Sequence, residues 1–260
     1  MTSYAITPQL FTSKMNILIY GDPGSGKTYL AGTAQDHPDM ANVHVFNIDG
    51  GIMTLADRGD IRASDISSLD QLEQELYKLS ARDKEYEGIK TIVIDNVTEL
   101  QTLNLEAIVR KELAKGRKNA TLDDIWVDDY GVSGKQLARI LRGFRDLPLN
   151  KIYIAHKMDK MRKGTQVIEE SRPKLTAQLC TAVTGYMDFV WHLYVSTLPV
   201  PDGSGGSTLE THRYLLTQPY NNFMAKTRGT KFATALGTVI QDPNMAKIYE
   251  TYLVANGLRG

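Results

Sequence analysis

Met15–Tyr20 reads MNILIY and is followed at once by Gly21–Thr28, GDPGSGKT. The first stretch is a short apolar run that ends in glycine, the pattern of a strand buried on both faces. The second meets G-x-x-x-x-G-K-[ST] at Gly21, Gly26, Lys27 and Thr28. Glycines let such a loop wrap so that its N–H groups point inward at phosphate oxygens; the lysine reaches the β/γ-phosphates and the threonine hydroxyl binds Mg²⁺. Strand, loop and the helix beginning at Thr28 stand in the order this chemistry needs. The predicted phosphate-binding set is therefore Gly21, Asp22, Pro23, Gly24, Ser25, Gly26, Lys27, Thr28 and Tyr29. ATP and Mg²⁺ are the expected cofactors.

Working outward, further apolar strands alternate with amphipathic helices. Val43–Ile48 (VHVFNI), Thr91–Ile94 (TIVI) and Ile152–Ala155 (IYIA) read as strands. Ser68–Ser80, Val97–Leu113 and Val132–Leu147 carry apolar residues at helical spacing. This alternation predicts an α/β fold with a mostly parallel sheet covered by helices on both faces. The tail differs: Tyr186–Ser196 and Thr211–Thr217 look like strands around the Gly-rich PVPDGSGGS segment, an antiparallel edge near the C-terminus. A terminal helix is expected over about residues 243–256, with Asp242 as N-cap, Pro243 at the first helical position and Gly257 as C-cap. No repeat or linker divides the chain, so residues 1–260 are expected to form one domain with its core at about 15–232.

Lys plus Arg and Asp plus Glu both number 30, so any nucleic-acid surface must be local. Cys180 is the single cysteine, which excludes an intramolecular disulfide and argues against a zinc site. There is no apolar run near 18 residues and no signal peptide at the start, so the expectation is no membrane and a cytoplasmic location.

Three residues at strand ends extend the phosphate site. Asp95 closes TIVI, where a carboxylate can hold the Mg²⁺ hydration shell while also capping the next helix. Asp49 follows the second strand; it suits either activation of the attacking water or the turn ahead of Gly50-Gly51. His156 ends the fourth strand, as a hydrogen-bonding γ-phosphate sensor or as a satisfied strand-end histidine.

The order GDPGSGKT, NIDGG, TIVIDN and IYIAH resembles the RecA-like recombination ATPases, over about Met15 to Phe232. It looks closest to small phage-encoded members of single-strand-annealing type. That resemblance implies a RecA-like P-loop NTPase fold, with Asp95 and Asn96 as the Walker B pair and His156 in the place of a γ-phosphate sensor that is usually glutamine. Asp49 stands near the family's catalytic glutamate, one methylene shorter. Ala225–Gly229 (AKTRG) resembles a Lys-x-Arg segment that reaches a neighbouring subunit's γ-phosphate, which makes Lys226 and Arg228 fingers in trans and implies a head-to-tail ring or filament.

In this fold two loops would meet single-stranded DNA, about Lys115–Tyr130 and Lys157–Lys174. The candidate contacts are Arg117, Lys118 and a stacking Trp126 in the first, and Lys157, Lys160, Arg162 and Lys163 in the second. Solvated loops and ordinary packing of the tryptophan are the plain alternatives. The implied function is Mg-dependent ATP hydrolysis coupled to binding or annealing of single-stranded DNA in phage-type recombination or replication, inside an infected cell, with a single-strand-binding protein as a further partner. A hexameric helicase-type translocase, a helicase loader, a nucleotide-controlled scaffold and, more weakly, a small-molecule kinase are the alternatives.

Overall fold

The structure is a computed structural model that describes residues 14–117, 121–201 and 207–259. The phosphate-loop strand β1 (Asn16–Gly21) lies inside a sheet with β2 (Val43–Asn47), β3 (Arg62–Asp65), β4 (Thr91–Asp95), β5 (Asn150–Met161), β7 (Phe189–Pro201), β8 (Ser207–Leu216) and β10 (Val239–Gln241). The order is β10-β8-β7-β1-β5-β4-β2-β3. From β7 to β3 every neighbour is parallel; β8 and β10 add the antiparallel edge. Two short strands pair outside this path, β6 (Ile168–Pro173) with β5 and β9 (Lys226–Thr227) with β7. This is the expected α/β P-loop architecture. One strand, β5, separates the phosphate-loop strand from the strand that ends at Asp95.

Strand side chains alternate between two cores, as a pleated sheet buried on both faces requires. Leu18, Tyr20, Ile92, Ile94 and Tyr153 pack with helices α2 (Leu69–Ser80), α3 (Val97–Ala114), α4 (Val127–Arg145) and α5 (Ala177–Tyr186). Ile17, Ile19, Val93, Ile152 and Trp191 face α1 (Lys27–Gly32), α6 (Thr230–Leu236) and α7 (Met245–Ala255). Caps fix the helix entries: the Ser68 side chain accepts from the Gln71 N–H, and Asn96 from that of Glu99.

Three expectations change. The terminal helix starts later, with Asn244 rather than Asp242 as its N-cap, because Asp242 takes a left-handed φ of 45° and spends its carboxylate on the Arg213 N–H and on His212. Gly257, at φ 66°, follows the Asn256 cap. The segment expected as a loop over Lys157–Lys174 is a β5–β6 hairpin, antiparallel from Lys157↔Pro173 to Met161↔Ile168. The loop expected over Lys115–Tyr130 is shorter, since α4 already begins at Val127. Among the described residues, no helix is long and apolar enough to cross a membrane.

Candidate functional site

Parallel strands end together, so their carboxyl ends form one rim. Gly21 lies beside His156, Asn47 beside Asp95, and Asp95 beside Ile154. The loop Gly21–Thr28 rises from this rim with Gly24 and Gly26 at φ 77° and 94°, values that favour glycine. Gly21 is required for space instead: a Cβ there would lie 2.1 Å from the Leu193 carbonyl oxygen on β7.

Inside the loop, Lys27 Nζ donates to the carbonyls of Gly21 (3.0 Å) and Asp22 (2.8 Å). Burial lowers its pKa, and the charges of Asp95, Asp22 and Asp49 oppose that shift. The ammonium is held on weak neutral acceptors that an anionic phosphate can outcompete. Thr28 Oγ1 donates to Asp95 Oδ2 at 2.6 Å, which joins the two predicted Mg²⁺ ligands directly. Asp95 is only 4% exposed. Burial pushes its carboxyl up to about 6; the Thr28 hydrogen bond opposes this, the Asp49 charge adds to it, and Lys27 opposes it.

Asp49 serves as turn residue and as site residue at once. One carboxylate oxygen accepts from the Gly51 N–H at 3.0 Å, and the other accepts from Asn96 Nδ2. Asn96 also lies 3.3 Å from His156 Nε2 through the same amide nitrogen, while its oxygen caps α3. For the amide to donate to both, His156 Nε2 must accept, which puts the ring proton on Nδ1. Burial lowers the His156 pKa and Lys27 lowers it further, against the opposing charges of Asp49 and Glu99, which favours the neutral ring. Asn96 thus couples the candidate base to the candidate sensor, a role that its sequence position beside Asp95 does not reveal. The peptide between Asp95 and Asn96 is cis.

These groups line a cavity of 430 Å³ with Lys27, Thr28, Tyr29, Thr54, Asp95, Asn96 and His156 on its wall. A hydroxyl, a carboxylate, a buried ammonium and a glycine loop form the donor set that a Mg-nucleotide needs, and the unpartnered buried hydroxyl of Ser25 supplies one more group within the loop. Asp22, Pro23 and Gly24 form the outer turn; Asp22 pairs with Lys157 at 3.2 Å. Tyr29 is half exposed, with the Arg58 guanidinium 5.7 Å from its ring centroid. Two wall residues have no counterpart in the sequence expectations: Thr54, and Arg213 from β8.

Residues 13–229 match the AAA domain family. The chain belongs to that family. Membership makes it a nucleotide-binding domain of ATPase type, in agreement with the rim geometry. A search of curated proteins returns no matching relative.

The remaining candidates lie away from the cavity. Lys226 Nζ donates to the Thr184 carbonyl, and Arg228 to the Gly185 carbonyl (2.8 Å) and to Asp188 (2.9 Å). Both therefore serve the carboxyl end of α5 in their own chain, where cations are favoured. Their strand β9 pairs at Phe189, which lies beside Ile17, nearer the start of β1 than its phosphate end. Arg117 forms a two-pronged ion pair with Asp129 at 2.7–2.8 Å and stacks over the Trp126 ring at 4.2 Å. Asp129 also accepts from the Trp126 N–H, so this trio fastens the start of α4. Lys118 lies outside the described residues. Lys157 is held between Asp22 and Asp159, and Lys160 pairs with Glu169 across the hairpin at 3.0 Å. Arg162 and Lys163 stand exposed at the hairpin turn, beside exposed Met161 and Val167.

Proposed function

We infer that the chain is a Mg-dependent ATPase whose turnover is coupled to binding of single-stranded DNA, in annealing or recombination of the kind that small phage-encoded RecA-like proteins perform. The observation that carries this reading is the continuity of β5. The strand brings His156 to the phosphate rim and then runs on into the hairpin that exposes Arg162, Lys163, Met161 and Val167. A strand is stiff, so binding at the hairpin can bias the rim at the other end. Basic residues suit a phosphate backbone, and exposed apolar side chains beside them suit unstacked bases.

At the rim, Thr28 and Asp95 would hold Mg²⁺, and Lys27 would leave its carbonyl partners for the phosphates. The bound metal supplies a Lewis acid that offsets charge on the phosphate oxygens. Asp49 lines the cavity, and its carboxylate can take a proton from an attacking water. Asn96 holds Asp49 and His156 in a fixed relation, so a change felt by His156 reaches the base through one amide. Assembly into a head-to-tail ring or filament is part of the proposal, with Lys226 and Arg228 released from α5 as they turn towards a neighbour.

The test is ATP turnover with and without single-stranded oligonucleotide, alongside light scattering for mass. Stimulation by DNA supports the coupling. Turnover that ignores DNA, with no DNA bound, contradicts it and leaves a plain nucleotide-binding ATPase domain.

A further inference from the structure

We propose that Arg213 is a second phosphate-binding cation of the nucleotide site, delivered in cis by the long β7–β8 hairpin. The proposal rests on the assignment of Gly21–Thr28 as a P-loop. Arg213 lies against the glycine that precedes the loop lysine: a Cβ on Gly26 would sit 2.6 Å from Arg213 Nε and 3.1 Å from its Cδ. The side chain shares its cavity with Lys27, Thr28, Asp95, Asn96 and His156, although it is remote from all of them in sequence.

Its backbone is clamped. Arg213 pairs with Val195 on β7, its N–H donates to Asp242 Oδ1 at 3.0 Å, and its carbonyl accepts from the Asp242 N–H at 2.7 Å. The guanidinium itself has no hydrogen-bond or ion-pair partner among the described residues. Other arginines are committed: Arg58 to Asp36, Arg117 to Asp129, Arg139 to Glu73 and Arg228 to Asp188. A clamped backbone with an uncommitted guanidinium over a phosphate loop is the arrangement of a ligand-binding group. Arginine offers a planar fork that matches two phosphate oxygens, which the point charge of Lys27 cannot do. The site then holds two cations from one chain.

The test uses the full chain and titrates Mg-ATPγS and Mg-ADP into the parent and into Arg213→Gln, Arg213→Lys and Lys27→Ala. Gln keeps much of the shape on an exposed strand position. Arg213→Gln is expected to weaken both nucleotides by about 10- to 100-fold, the worth of a charge-assisted hydrogen bond, with an unchanged melting temperature without nucleotide. Arg213→Lys should recover part of that affinity. Unchanged affinity in Arg213→Gln, beside a weakened Lys27→Ala, overturns the proposal and leaves the P-loop assignment standing. So does an affinity loss matched by a fall in nucleotide-free melting temperature, since that marks a structural arginine. If Lys27→Ala binds as the parent does, the P-loop assignment itself fails.

Discussion

Replacing Asp95 with Asn should stabilise the nucleotide-free protein at pH 8 while destroying its use of Mg²⁺. The Asp95 carboxyl ordinarily titrates at 3.8, and in the fold it titrates at about 6, chiefly because it is buried. A carboxyl pushed up in the folded state contributes nothing below its unfolded value, where both states carry the proton. The penalty grows as pH rises between the two values and is complete above the folded one. At ~1.4 kcal/mol per pH unit the full penalty is about 3 kcal/mol. At pH 4.5 only about a third of it remains. Asn keeps an oxygen for the Thr28 hydroxyl but brings an amide N–H₂ that needs a partner, a cost of about 1 kcal/mol. The net gain at pH 8 is about 2 kcal/mol, or roughly 4–8 °C in a domain of this size, and close to none at pH 4.5. The assay is thermal unfolding in EDTA at both pH values. With Mg-nucleotide added at pH 8 the order should invert, because only the parent gains from the ligand. Destabilisation of Asp95→Asn by the same amount at both pH values would refute the reasoning.

Asp49→Asn has one acceptor oxygen left, enough for either the Gly51 N–H or the Asn96 amide but not both, and cannot take a proton, so turnover should fall by about 100-fold with nucleotide affinity nearly intact; steady-state kinetics with a binding titration will tell, and unchanged turnover reduces Asp49 to a turn residue. Alanine at Lys160, Arg162 and Lys163 should weaken single-stranded DNA binding and flatten its log–log salt slope by about 0.7 for each DNA phosphate no longer neutralised; an unchanged slope removes the hairpin from the DNA site. Gly21→Ala forces a Cβ to within 2.1 Å of a β7 carbonyl, so its melting temperature should drop by several degrees or more, in line with overpacking costs of about 1–3 kcal/mol; an unaltered melt would mean that β1 and β7 part easily.

The central sheet is legible in the sequence because β1, β2, β4 and β5 are buried on both faces and so appear as apolar runs. Strand β3 is not: its four residues, RASD, lie mostly exposed at the sheet edge and carry no apolar signal. The start of α4, VDDYG at Val127–Gly131, looks like a loop because glycine and paired acids are poor helix interiors. It is helical because Arg117 and the Trp126 N–H both engage Asp129, an interaction made from outside the helix. Helix α5 is rich in small and β-branched residues and is held by packing instead of propensity. At the site, the loop, Asp95 and the nearness of Asp49 and His156 to it follow from motif and order, although His156 does not end its strand as expected: β5 runs on to Met161. The bridge through Asn96 does not, because a cap residue and a site residue have the same sequence signature. Arg213 is hidden for another reason: it is one of several exposed polar positions along β8, and only the pairing of β8 with β7 carries it over the phosphate loop.

The central claim is that Gly21–Thr28 and Asp95 together bind and turn over Mg-ATP. Its most direct test is phosphate release from ATP by the parent chain and by Lys27→Ala, with and without Mg²⁺. The account predicts Mg-dependent release by the parent and none above background by the variant, since Lys27 is the buried ammonium at the heart of the loop. Hydrolysis by Lys27→Ala at the parent's rate, or parent hydrolysis indifferent to Mg²⁺, would contradict it.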